Sequence, residues 1–140
     1  MNYSRIIVSA LLVFLLTNCG PETRNESAEI TPVIESSTPT SVSDLKSGGL
    51  YLLKSQDSTY HLTKILVIDD YAVHVRTYST KFTKKPLKIN SDSLDILIGH
   101  APIDKEGFLS GHPELIKVEE VKDSELEGYK IYLEAMKELN

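Results

Sequence analysis

The run Ile6 to Leu16 (IIVSALLVFLL) decides how much of this 140-residue chain can take part in a fold. A helix of that length, at 1.5 Å per residue, reaches about half-way through a hydrocarbon core of roughly 30 Å. The run is too short to span a bilayer and has the length of a signal h-region, led by the single cation Arg5. Residues 1–18 therefore read as a leader that is removed. The folded part must come from the residues after the leader.

Leu16-Thr17-Asn18-Cys19 closes the run and holds the only cysteine of the chain. This segment resembles the lipobox of bacterial lipoproteins, with Asn18 standing where Gly, Ala or Ser is usual. The resemblance implies that Cys19 is the mature N-terminus, that it carries covalent diacylglycerol and N-acyl lipid, and that the chain is exported and anchored to a membrane. Two or three acyl chains hold where one anchors only marginally, since each buried CH₂ contributes about 0.8 kcal/mol. Gly20 resembles the outer-membrane default of cells with two membranes, where the inner-membrane retention residue is Asp. A single cysteine excludes an internal disulfide and leaves the redox compartment unread.

Residues 20–43 hold three Pro, nine Ser or Thr and four Glu, with no aromatic residue and no apolar period. Such a segment cannot bury enough surface to offset the entropy of ordering it. Together with Cys19 it reads as a disordered tether over 19–43, reaching about 25–30 Å as a flexible coil. Residues 44–140 then form one small domain. Its 13 basic and 16 acidic groups make it mildly acidic, which argues against a nucleic-acid binder, whose basic excess would gather on one face.

Within the domain, short apolar runs alternate with turn residues. Leu50 to Leu53 follows Gly48-Gly49, and Tyr60 to Ile68 is apolar on both faces near its end. Asp69-Asp70 offers a turn into Tyr71 to Tyr78, where Val73, Val75 and Thr77 alternate with His74, Arg76 and Tyr78 at the period of a strand with one buried and one wet face. Further strands are expected at Leu94 to Ile98, ended by Gly99, and around Leu115 to Val121, with a helical turn over 104–110. Ser124 and Glu127 have capping-box spacing before a last helix carrying Leu126, Tyr129, Leu133 and Met136. Gly128 costs that helix about 1 kcal/mol relative to Ala. The expected fold is mainly β within the α+β class: a small five-stranded curled sheet or barrel with a C-terminal helix. The run from Gly48 to Tyr78 resembles the opening of a Tudor or SH3-like barrel, which would imply a closed sheet but no particular function.

Candidate sites are few. His74, Arg76 and Tyr78 share one strand face and could meet an anionic ligand or a peptide, with Arg76 the first choice because its planar fork suits carboxylates. Lys81, Lys84, Lys85 and Lys88 crowd one loop and could face anionic lipid or a glycan phosphate, or simply keep a loop soluble and protect a sheet edge. His100, Asp104, His112 and Glu114 have metal-capable side chains but no ligand spacing of a known kind, so no metal site is assigned and loop histidines bonding backbone are expected. No Gly-x-Ser-x-Gly elbow or phosphate loop occurs, and no catalytic residue or other cofactor is assigned. The reading is a non-enzymatic, membrane-anchored binding domain for a protein or peptide partner of the cell envelope. Its rivals are an immunity or inhibitor lipoprotein blocking a toxin or envelope enzyme, and a small envelope hydrolase with a dispersed site.

Overall fold

A computed structural model describes residues 36–139. The expected signal segment, the lipobox-like segment with Cys19 and most of the expected tether lie outside the described residues. No helix among those described is long and apolar enough to cross a membrane.

Five antiparallel strands form one sheet: β1 (Gly49–Lys54), β2 (Tyr60–Ile68), β3 (Ala72–Phe82), β4 (Ile96–Asp104) and β5 (Glu114–Val118), in the order β4-β3-β2-β1-β5. Two α-helices are present among the described residues, α1 (Lys105–Ser110) and α2 (Glu127–Glu138). The curled sheet with a C-terminal helix agrees with the expected class, but the barrel does not form, because β4 and β5 lie at opposite edges and do not pair. A barrel has one interior, whereas this sheet buries apolar side chains on both faces. Tyr51, Ile65, Val73 and Val75 pack on one side with Leu45, Leu115 and Phe108 of α1. Leu50, Leu52, Leu62, Tyr78 and Ile116 pack on the other, with Ile89 and Leu94 from the β3–β4 connection laid against them. Alternate residues of β1 thus go to opposite clusters, as the pleat requires. Each fully buried Leu contributes about 1.5–3 kcal/mol.

Local chemistry fixes the ends of the elements. Gly48 enters β1 at φ 76°, and a Cβ there would lie 2.0 Å from the Glu119 carbonyl oxygen. Only glycine meets both demands. Register shifts in the β2–β3 and β3–β4 ladders mark bulges, which strengthen twist and curl the sheet without closing it.

Several boundaries differ from those expected of the sequence. Ser37 bridges Leu115 through two backbone bonds of 3.1 and 2.8 Å, and Asp44 ties down Thr40 and Ser41 by accepting from both amides at 3.0 Å. Part of the Ser/Thr-rich stretch expected as tether therefore takes part in the fold: backbone pairing at a sheet edge needs no apolar side chains. The capping box at Ser124 and Glu127 is not made. A 3-10 turn over Asp123–Glu125 precedes α2, and Glu125 rather than Glu127 turns back, accepting from the Lys122 amide at 2.8 Å.

Candidate functional site

The candidate site is the face of β3 that carries His74, Arg76 and Tyr78. Sequence alternation groups these three correctly, but the wet face expected for them is buried: His74 is fully enclosed and Tyr78 nearly so. Residues about fifty positions further along the chain supply the cover. Two polar systems result, side by side.

The first starts at the β2–β3 turn. One oxygen of Asp69 accepts from the amides of Tyr71 and Ala72 at 2.9 and 2.8 Å, which closes the turn. The other oxygen lies 2.8 Å from His74 Nε2, and His74 Nδ1 lies 2.9 Å from His100 Nε2 on β4. The two imidazoles are 8° from parallel with centroids 5.1 Å apart. That separation is about one N···N bond plus two ring radii, so the rings are coplanar and joined edge to edge rather than stacked. Tyr129 and Tyr132 of α2 cover them, with centroids 4.6 and 5.0 Å from His74. Burial would raise the Asp69 carboxyl, but the Ala72 amide, the His74 imidazole and the Tyr71 amide outweigh it and hold Asp69 below its ordinary range. Burial, helped by His74, pushes His100 below the usual histidine value.

With Asp69 ionised and both imidazoles neutral, the carboxylate fixes the proton on His74 Nε2. His74 Nδ1 then accepts, and His100 Nε2 donates to it. An ion midway between the two nitrogens would lie about 1.5 Å from each, well inside the roughly 2.0 Å that a zinc–imidazole bond needs. Among the described residues no group of three His, Cys, Asp or Glu is placed to hold a metal ion. Among the described residues no Ser or Thr hydroxyl hydrogen-bonds either imidazole; their ring nitrogens engage Asp69 and each other.

The second system centres on Glu125. Lys64, on β2 and only 2% exposed, donates to Glu125 Oε2 at 2.8 Å and to the Glu120 carbonyl at 2.9 Å. Arg76 reaches Glu125 Oε1 at 3.1 Å. Glu119 stands 3.8 Å from Lys64 and takes Ser91 Oγ and Lys117 Nζ at 2.5 Å each. The Lys117 and Ser91 bonds, with the charge of Lys64, keep Glu119 low against the raising effect of burial. Beside this cluster a cleft of about 180 Å³ opens between β3, the start of β4 and the turn before α2. Arg76, Tyr78, Ser91, Leu94, Ile96 and Lys122 line it.

The remaining expected residues do not join either system. Lys81 lies near the end of β3 rather than in the loop; Lys85 pairs with Glu114; Lys84 and Lys88 are exposed in the β3–β4 connection. They do not converge on one site with the three residues of β3. Asp104 caps α1 by accepting from the Gly107 amide at 2.8 Å. His112 lies just after α1 in a left-handed conformation, φ 50°. His100 is a strand residue bonded to another imidazole, not a loop histidine bonded to backbone, so Asp69, Tyr129 and Tyr132 are the partners that sequence reasoning misses. The helical spacing of the two tyrosines is shared with any packed helix. A stronger signal is Lys64, a cation directly before the apolar run Ile65 to Ile68.

The two edges of the sheet differ. β5 is partly covered by Ser37, whereas the outer edge of β4 carries Ile96, Leu97 and Ile98 at 51%, 63% and 45% exposure. No family model, curated protein or solved structure matches this chain.

Proposed function

We propose that this chain is an exported lipoprotein, anchored through Cys19, whose domain is a non-enzymatic binding module that takes an extended segment of an envelope protein or peptide along β4. One observation carries the binding part. β4 is an outer strand with three consecutive exposed apolar side chains and no charged residue from Ile96 to Ile103. Soluble proteins normally blunt such an edge with charge or cover, and an exposed edge is a template for strand addition. Ile96 belongs both to this edge and to the Arg76 cleft, so a segment paired along β4 can set one polar side chain among Arg76, Ser91 and Lys122 while its backbone bonds the strand. The lipobox at Leu16 to Cys19 supports the location.

Selection from a displayed library of random peptides tests the binding reading. The native domain is expected to retain extended, apolar-rich peptides, and Leu97→Lys, which places a charge on the edge, is expected to weaken them at least tenfold. Equal retention by the variant, or no retention by the native protein, overturns the reading. Intact mass and membrane fractionation beside Cys19→Ser test the anchor separately. Added acyl mass at residue 19, with release only in the variant, is the expected result.

A further inference from the structure

α2 is fixed to the sheet in an unusual way. None of its residues is buried, and Ile131 and the capping Leu139 are exposed at 67% and 79%. Tyr129 and Tyr132 each make ring contacts with both His74 and His100, at centroid distances of 4.6–6.1 Å. Gly128 brings the helix backbone against the same place: a Cβ there would lie 2.4 Å from His100 Cβ. Two titratable rings therefore lie directly beneath the last helix.

The groups facing those rings are Asp69 from the β2–β3 turn and Tyr129 and Tyr132 from α2. Arg76, the next cation on this face, is committed to Glu125 and, at 3.4 Å, to the Gly99 carbonyl. With no added proton, the chain runs from Asp69 through His74 to His100 with every bond donated and accepted. One added proton is tolerated, because a charged His74 donates to Asp69 on one side and to a neutral His100 Nε2 on the other. A second proton is not: two N–H groups then point at each other across 2.9 Å, and two cations face a single carboxylate.

We propose that the Asp69–His74–His100 chain is an acid-sensitive latch, which holds α2 on the sheet and releases it when both imidazoles are protonated. The lowered position of His100 places release on the acid side of pH 6.5, the ordinary value for histidine. Release frees the face of β3 and β4 beneath Tyr129 and Tyr132 while both hydrophobic clusters of the sheet stay packed. The latch stands independently of any partner at β4.

Amide hydrogen exchange of the full chain at pH 7.5 and 5.0, corrected for the intrinsic rate, tests this. Protection of residues 127–138 is expected to fall at least tenfold at pH 5.0 while amides of β1, β2 and β3 keep theirs. In His100→Gln, whose side-chain amide still donates to His74 Nδ1 but does not titrate, helix protection is expected to be the same at both pH values. Should that variant fail to fold, His100→Phe, which keeps a ring beneath the tyrosines, is read in the same way. Unchanged helix protection in the native chain overturns the latch. So does an equal loss in the non-titrating variant, or loss shared by helix and sheet alike.

Discussion

Lys64 is the residue whose surroundings are most at odds with its chemistry, a cation 2% exposed in the middle of a sheet. Burying an ion costs several kcal/mol, and the cost is recovered only where geometry and hydrogen bonds are complete. Glu125 supplies that completion, with Arg76 on its second oxygen and the Lys122 amide beside Lys64. Replacing Glu125 with Ala takes the nearest carboxylate from both Lys64 and Arg76, leaving Glu119 at 3.8 Å as the acidic partner of Lys64, and is expected to cost about 3–5 kcal/mol in urea unfolding. Adding Lys64→Met to that variant is expected to restore part of the loss, since the stranded charge goes with it. This chemistry is half legible in the sequence. Lys64 stands directly before the apolar run Ile65 to Ile68, which is a sequence signal for a buried partner, but the identity of the partner is not local. Glu125 lies 61 residues away and reads in isolation as one more acidic residue near a helix start.

At the scale of elements, the period of two places β1, β2 and β3 to within a few residues, because alternation and apolar runs act over the strand itself. The same pattern makes β4 too short. Gly99 and Pro102 look like stop signals, yet an outermost strand tolerates a proline that an inner strand cannot, and β4 runs on to Asp104. Whether the His74, Arg76 and Tyr78 face is wet or covered depends on where α2 and its leading turn dock, and no local pattern carries that information. Gly128 shows the same division. In sequence it is a weak spot in a helix, while in the fold it is the point of closest approach to His100. Gly128→Ala should raise intrinsic helix propensity by about 1 kcal/mol and yet loosen the helix, because the new methyl meets His100. Amide exchange is expected to show lowered protection over 127–138 with β1 to β3 unchanged; a better protected α2 would mean that the close approach is not needed.

For the molecule as a whole, the two lowered groups of the histidine chain contribute to the acid side of its stability profile, together with other lowered carboxylates such as Glu119 and Glu114. His100 takes a proton less readily folded than unfolded, so its contribution is full above about pH 6.5 and declines as pH falls toward its lowered folded value. Asp69 is a depressed carboxylate, so its contribution is present above its ordinary value of 3.8 and is lost as pH falls through the lower folded one. Urea midpoints taken from pH 8 to pH 3 are expected to show a plateau, a first decline beginning near 6.5 and a steeper one below about 4. His100→Gln is expected to remove the first decline and keep the second. The Ser37–Leu115 bridge bears on a different property, the response to load. A pull on the chain from its N-terminal side reaches the described sheet first at that bridge, whose two hydrogen bonds lie outside the β1–β5 ladder. The chain enters at the β5 edge, and the β4 edge lies four strand spacings away, about 19 Å. Load arriving from that side thus meets a two-bond clasp at one margin of the sheet, with the exposed edge of β4 at the opposite margin.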